Sequence, residues 1–444
     1  MPSEAPKIAA CLIVKDAEET LETCLASLRP HVDEVNIYDT GSTDGTLPLL
    51  ERLGRQSGAA PIRIERGEWR DNFAWARQRS FAMASADVSW LVWTDADDEI
   101  VGGAQLRKLA ASAPPDLATF VCAYETALDA DGQGRSRVWR ERLIRADAGF
   151  EWRGIVHEYL APPSGTTRKA RLVDPSLLCW LHRETQGRRT ETRNIELLRR
   201  EKERLEAAGM PVDREIIRYL GLEHMWYGSF AEAVPYLSAW RAAMGAEWSD
   251  EHLAATNALA TCLRLTGDLD GAIALGLEAF AGRPDWAETA LGLMQSYRAR
   301  GRWQDTLTWA ERAAELEVPI SEMPVEPLKL TVLPRLRAAE AALELGKPER
   351  ASSAFAAAVQ AAPQIQELER SRAEFEQHLA AGDKRSALRC VNTAAGRYDT
   401  ELTAFVRGLR SAAEAGTEVS SSVSERVSSH EKRPYSSRVS SSRS

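Results

Sequence analysis

Between Lys7 and Thr185, short unbroken apolar runs alternate with stretches whose apolar residues recur at helical spacing, and few folds satisfy that alternation. Ile8–Val14 is continuous and stops at Lys15-Asp16, the pattern of a strand buried on both faces. Leu21, Leu25 and Leu28 then repeat as one helix face. Val35–Tyr38 reads as a second strand, Thr46–Leu53 as a helix, Ile62–Ile64 as a third strand, Phe73–Ala84 as a helix and Ser89–Trp93 as a further strand. The expected result is an α/β N-terminal domain, with a Rossmann-like, mostly parallel sheet covered by helices on both faces.

From Glu215 to Ala362 the pattern is wholly helical and repeats. Tyr227-Gly228-Ser229-Phe230, Thr266-Gly267-Asp268-Leu269, Arg300-Gly301-Arg302-Trp303 and Leu345-Gly346-Lys347-Pro348 each close a helical stretch. Five residues after each glycine stands a small residue: Ala233, Ala272, Thr306, Ala351. A left-handed glycine between two helices, with a small residue where they cross, explains both positions. The glycine intervals are 39, 34 and 45 residues. The central one equals the tetratricopeptide period, so this part resembles tetratricopeptide repeats, a generic helical array being the alternative. The stretch from Ala415 is Ser-rich, lacks apolar content, and is expected to be a disordered tail. A chain of 444 residues exceeds one ordinary core. The division expected is 1–205 for the α/β domain, 206–375 for the repeats, 376–412 for a C-terminal helical segment and 413–444 for the tail.

A formal charge of −9 argues against nucleic acid or anionic membrane as a general partner, although Arg183–Arg204 is locally rich in arginine. The six cysteines are scattered without metal-type spacing and read as reduced thiols. No basic leader precedes an apolar stretch, and nothing reaches the roughly 18 apolar residues of a membrane span, so a cytoplasmic protein without stable membrane insertion is expected.

Parallel sheets bind ligands at the carboxyl ends of their strands. After Val35–Tyr38 comes Asp39-Thr40-Gly41-Ser42-Thr43-Asp44-Gly45-Thr46, a carboxylate and a hydroxyl-rich loop suited to a base or ribose. Helix capping is the structural alternative and suits Asp44 better than Asp39. After Ser89–Trp93 come Asp95, Asp97, Asp98 and Glu99, four acids in five residues, whose repulsion something must offset. If strand geometry continues, Asp95 and Asp97 point to one side and offer two hard oxygen ligands to Mg²⁺ or Mn²⁺, with a nucleoside diphosphate completing the shell. Arg77, flanked by Phe73 and Phe81 on an apolar stripe, must pair with something: Asp39, the Asp95 cluster, or phosphate.

Together these residues resemble the family 2 inverting glycosyltransferases of GT-A fold, in the bacterial branch where tetratricopeptide repeats follow a compact transferase domain. The resemblance rests on Ile13-Val14-Lys15-Asp16, Val35–Thr46, Asn72–Arg77, Asp95–Glu99, Arg142-Leu143-Ile144-Arg145, Gly154-Ile155-Val156-His157-Glu158 and His182, across about residues 7–200. One departure is Lys15-Asp16-Ala17, where the family usually has Lys-Asn-Glu. The resemblance implies that Asp39 holds the base or ribose, with Asp44 supporting that loop. It makes Asp95 and Asp97 the metal pair, joined by His182 at the metal or phosphate. Arg188, Arg189 and Arg193 either clamp diphosphate or form a solvated basic helix end.

Inverting transfer needs a base. Glu158 is the preferred candidate and Asp98 the second, unless His157-Glu158 is a structural pair closing the pocket. The expected donor is a UDP-, GDP- or dTDP-sugar, and the expected acceptor a hydroxyl (or thiol) on a protein or peptide. A polysaccharide or glycolipid precursor stays open. The helical repeats would present the acceptor or form a homodimer. A non-catalytic repeat scaffold and a nucleotidyltransferase are the competing classes. The latter usually carries a glycine-rich loop after the first strand, which Lys15-Asp16-Ala17-Glu18 lacks.

Overall fold

The computed structural model describes residues 5–128, 134–183, 192–321 and 324–399. The expected tail, Arg188 and Arg189 lie outside the described residues. The first domain runs β1 (Lys7–Val14), α1 (Leu21–Leu28), β2 (Glu34–Asp39), α2 (Thr46–Gly54), β3 (Ile62–Arg66), α3 (Phe73–Ala82), β4 (Val88–Trp93), β5 (Asp98–Val101), α4 (Gln105–Ser112), β6 (Leu117–Leu128), β7 (Gly134–Arg145), β8 (Glu151–Arg153), β9 (Tyr159–Ala161), β10 (Lys169–Leu172) and β11 (Cys179–His182).

In β1, Ile8, Ala10, Leu12 and Val14 pack into the core shared with α1, α2 and α4, while Ala9 and Cys11 face Phe81, Trp93 and Trp152. Both faces are therefore covered, which is why the run reads as unbroken apolar residues. β1 lies between β2 and β4 and is parallel to both, and β3 extends the sheet in parallel beyond β2. Past β4 the sheet becomes mixed. β7 runs antiparallel to β4 and β6, β10 and β11 run parallel to β6, and β5 closes the far edge antiparallel to β11. The expected parallel half is present. The β6–β7 ribbon was illegible because its strands mix Arg137, Arg140, Glu141 and Arg142 with apolar residues.

After α5 (Arg193–Ala207), helices pair as α6 (Arg214–Trp226) with α7 (Phe230–Ala242), α8 (Asp250–Thr266) with α9 (Leu269–Gly282), α10 (Ala287–Ala299) with α11 (Trp303–Glu315). A short α12 (Pro327–Thr331) precedes α13 (Leu333–Glu344), which pairs with α14 (Pro348–Ala361), and α15 (Gln366–Ala380) pairs with α16 (Lys384–Gly396). Gly228, Gly267, Gly301 and Gly346 all have positive φ, and Ala233, Ala272, Thr306 and Ala351 are all buried. The last pair repeats the signature with Gly382 and buried Ala387, a fifth copy that the sequence reading stopped short of.

The 45-residue interval has a tertiary cause. The extra segment before α13 carries Val325, whose backbone exchanges two hydrogen bonds with Arg137 of β7 at 2.7 and 2.8 Å. The array thus reaches back to the β6–β7 ribbon. At its start, Ile195, Leu198 and Leu205 of α5 share a core with α6 to α8 and with Val156 of the first domain. Among the described residues no helix is long and apolar enough to cross a membrane, and all six cysteines are free thiols.

Candidate active site

Beyond Trp93 the chain does not continue as a strand. It turns, closed by Asp98 N–H donating to Asp95 O at 3.1 Å. Strict alternation of Asp95 and Asp97 is therefore not what positions them. Asp98 organises the turn from below. Its Oδ2 accepts from Thr94 Oγ1 at 3.1 Å and from Asp95 N–H at 2.9 Å. Its Oδ1 accepts from Tyr124 Oη at 2.9 Å and lies 3.2 Å from His182 Nδ1. Asp98 is 1% exposed. The candidate reserve base is thus a fully engaged internal carboxylate.

Among the described residues, three cations face Asp95, Asp97 and Asp98, while Arg183 pairs with Glu99. Arg77, 5% exposed, donates Nη2–H to Asp95 Oδ1 at 2.5 Å and Nε–H to Glu158 Oε1 at 2.6 Å. Of the partners open to Arg77, the structure selects Asp95 and adds Glu158. Arg142, fully buried, lies 3.5 Å from Asp98 Oδ2, donates to Trp93 O, and stacks 3.7 Å from the Trp93 ring and 4.3 Å from Tyr124. Its Nε and Nη2 have no hydrogen-bond partner, so the aromatic faces supply the compensation. His182, on β11, is the third.

Each acid responds differently. Burial would raise the Asp95 carboxyl, but Arg77 and then Arg142 hold it well below the usual range. Burial and the Asp95 charge push Asp97 up to about 6. Burial would lower His182, but the Asp98 hydrogen bond and the charges of Asp97, Asp98 and Asp95 raise it to about 9. Asp97, Asp98 and His182 each bring one ligand atom within 4.8 Å of the others. Oxygen and imidazole donors so placed suit a divalent cation. Asp97 is the more open of the two acids, with a side chain 30% exposed.

The β2 loop flanks this site. Asp39 is fully buried; its carboxylate accepts from the backbone N–H groups of Gly41 (3.3 Å) and Ser42 (3.1 Å) and from Arg66 Nε (3.4 Å). Asp44 lies just before Gly45, the N-cap of α2, accepting from Thr46 N–H at 3.0 Å and from Glu18 N–H. Asp16, itself at positive φ, accepts from Thr43 N–H at 2.7 Å. Glu18 Oε2 accepts from Gly45 N–H at 2.6 Å, so the position after the atypical Ala17 supplies a carboxylate to this loop. Arg193 lies at the start of α5, 5.2 Å over the Phe73 ring and bonded to Asn194. Sequence reasoning missed Tyr124 and the roles of Arg142 and Asp98. Arg142 did carry a signal, an arginine opening the apolar Leu143-Ile144, whereas Tyr124 carried none.

Fold and site define an α/β domain with an acidic, cation-capable strand end, leading into an array of tetratricopeptide-like helix pairs. Residues 10–170 match the model of glycosyl transferase family 2, so the likeness to that family lies in the first domain. The chain is 29% identical over 184 residues to a TPR repeat-containing protein of Synechococcus elongatus, covering 41% of this chain and 40% of that protein. It is 25% identical over 96 residues to the prophage-derived glycosyltransferase SunS of Bacillus subtilis, covering 22% of this chain and 21% of SunS. The matched span is thus less than half the length of these curated relatives. The solved structure titled MamA MSR-1 C2 aligns with 42% of this chain and 97% of its own, at 21% identity and a TM-score of 0.30.

Proposed function

We propose that the chain is an inverting, metal-dependent glycosyltransferase moving a hexose from a nucleoside-diphosphate sugar to a hydroxyl acceptor. The observation that carries this reading is the chain Asp95–Arg77–Glu158 beside Asp97 and His182. It sets a guanidinium-held carboxylate next to a cation-capable group at the carboxyl end of β4.

Asp97 and His182, with Asp95, would hold Mn²⁺ or Mg²⁺, and Asp98, 3.2 Å from His182 Nδ1, would orient that ring. The bound cation supplies charge stabilisation to the leaving diphosphate. Asp39 and Asp44 brace the β2 loop, whose remaining donors and acceptors would receive the base and ribose. Arg193 is a further candidate for the diphosphate. Glu158 uses Oε1 for Arg77, and we assign its Oε2 to the acceptor proton, which moves as the new C–O bond forms and the sugar–phosphate bond breaks. Arg77 keeps Glu158 and Asp95 at fixed separation. A protein or peptide acceptor, presented by the helical array, fits the chain's organisation best.

Thermal-shift titration with UDP-, GDP- and dTDP-sugars, with and without Mn²⁺, tests the proposal. Stabilisation by one nucleotide class that needs Mn²⁺ supports it. No stabilisation by any of them favours a repeat scaffold. Glu158→Gln with unchanged turnover and intact folding excludes Glu158 as the base.

A further inference from the structure

The loop carrying Glu158 is strained and is held from the helical array. Gly154 and His157 both have positive φ, at +90° and +53°. Glycine accepts that conformation freely, whereas histidine does so only where its surroundings over-determine it. Those surroundings belong to α6. His157 Nε2 lies 2.5 Å from Glu223 Oε1, its ring stacks on Tyr219 at 4.3 Å, and Trp226 meets it edge-on at 5.6 Å. Glu223 is 2% exposed and also accepts from Asn194 Nδ2 at the start of α5, at 2.8 Å.

The loop is closed at its base by the β8–β9 pair, where Arg153 faces Tyr159, and Val156 is buried against α5 and α6. Ile155 O accepts from Phe73 N–H at 3.0 Å, tying it to the start of α3. Behind it lies a cavity of about 330 Å³ whose lining includes Gly154, Ile155, Tyr159, Glu201 and Tyr219. Against that open space the His157 side chain is held through its contacts to α6 named above.

We infer that Glu223 and His157 are positioning residues for Glu158, so that the first helices of the array are a working part of the transferase site. The inference rests on the glycosyltransferase reading above. Glu223 holds the imidazole, the imidazole holds the left-handed backbone at residue 157, and that backbone aims the next side chain. Glu158 in turn grips Arg77, which grips Asp95. A displacement at α6 therefore reaches the acidic strand end through the Glu223–His157 contact, the backbone from His157 to Glu158, and the Glu158–Arg77–Asp95 ion pairs.

The test uses the full chain with Mn²⁺ and UDP-glucose, UDP-N-acetylglucosamine or GDP-mannose, with water as acceptor and release of nucleoside diphosphate as the readout. Glu223→Ala is expected to lower kcat by about 100-fold, the scale of a 1 Å misplacement, with donor KM nearly unchanged. Glu223→Gln, whose amide oxygen still accepts from Nε2–H, is expected to recover most of that loss. His157→Gly removes the backbone strain but also the tether, and is expected to behave like Glu223→Ala. If Glu223→Ala does not fold, His157→Gly decides alone. Wild-type turnover in Glu223→Ala or His157→Gly, or activity that falls only with the folded fraction seen by circular dichroism, overturns the inference. No release by the wild type with any donor overturns the transferase reading, and the inference with it.

Discussion

Arg77 and Glu158, 81 residues apart in sequence, meet through Nε and Oε1 at 2.6 Å, with Asp95 on the other arm of the same guanidinium. Removing one partner of a buried ion pair costs more than the pair contributes, because the survivors stay desolvated. Arg77→Met is expected to lower unfolding free energy by about 3–5 kcal/mol and to abolish turnover. Arg77→Lys, which loses the fork geometry but keeps the charge, should retain most of the stability and little of the activity. Denaturant titration and nucleoside-diphosphate release check both.

The cation site gives a separate prediction. Asp97→Ala is expected to remove the Mn²⁺ dependence of donor binding and to abolish transfer, while leaving the fold intact because the Asp97 side chain is 30% exposed. Isothermal calorimetry with Mn²⁺ measures the first. Chelation of the wild type with EDTA should reproduce the loss, and added Mn²⁺ should reverse it. Retained transfer by Asp97→Ala would count against metal dependence.

Acid stability has a source in the array. Glu340 on α13 accepts from Arg298 and Arg337 at 2.7–2.9 Å. Burial would raise its carboxyl, but Arg337 and then Arg298 hold it near 2 rather than the ordinary 4.5. A carboxyl lowered on folding stabilises the folded state above its unfolded value, and the contribution fades as pH falls from about 4.5 toward 2. Glu340→Gln is expected to be clearly less stable than wild type at pH 7, by about 3–5 kcal/mol, with the gap narrowing at pH 3. Urea midpoints at the two pH values measure it.

The fifth helix pair is testable by packing. Ala387 is fully buried where α15 and α16 cross, so Ala387→Leu should cost about 1–3 kcal/mol through overpacking. Gly382 has φ +70° and open space around the missing Cβ, so Gly382→Ala should cost only the backbone strain, about 1–2 kcal/mol. Thermal unfolding of both variants checks the ranking.

Residues near in sequence made much of this protein legible. The β1 run, the helix face of Leu21, Leu25 and Leu28, and the glycine turns with a small residue five positions on are local periodicities, and periodicity is written along the chain. The acidic segment was legible too, because the repulsion of four acids at a strand end must be offset by solvent, cations or a metal wherever the chain goes.

What supplies that counter-charge was settled only by the tertiary structure. Arg77 on α3, Arg142 on β7 and His182 on β11 converge because a mixed sheet sets β4, β7, β6 and β11 side by side, and no spacing encodes that order. The same holds for Asp98, which reads in the sequence as a second candidate base but is buried against Tyr124 and Arg142 from strands not recognised in the sequence. The sequence determined that a charged strand end must exist. Folding decided which acid faces inward, which stays open, and which helix holds Glu158 in place, because those outcomes depend on desolvation and contact between residues far apart in the chain.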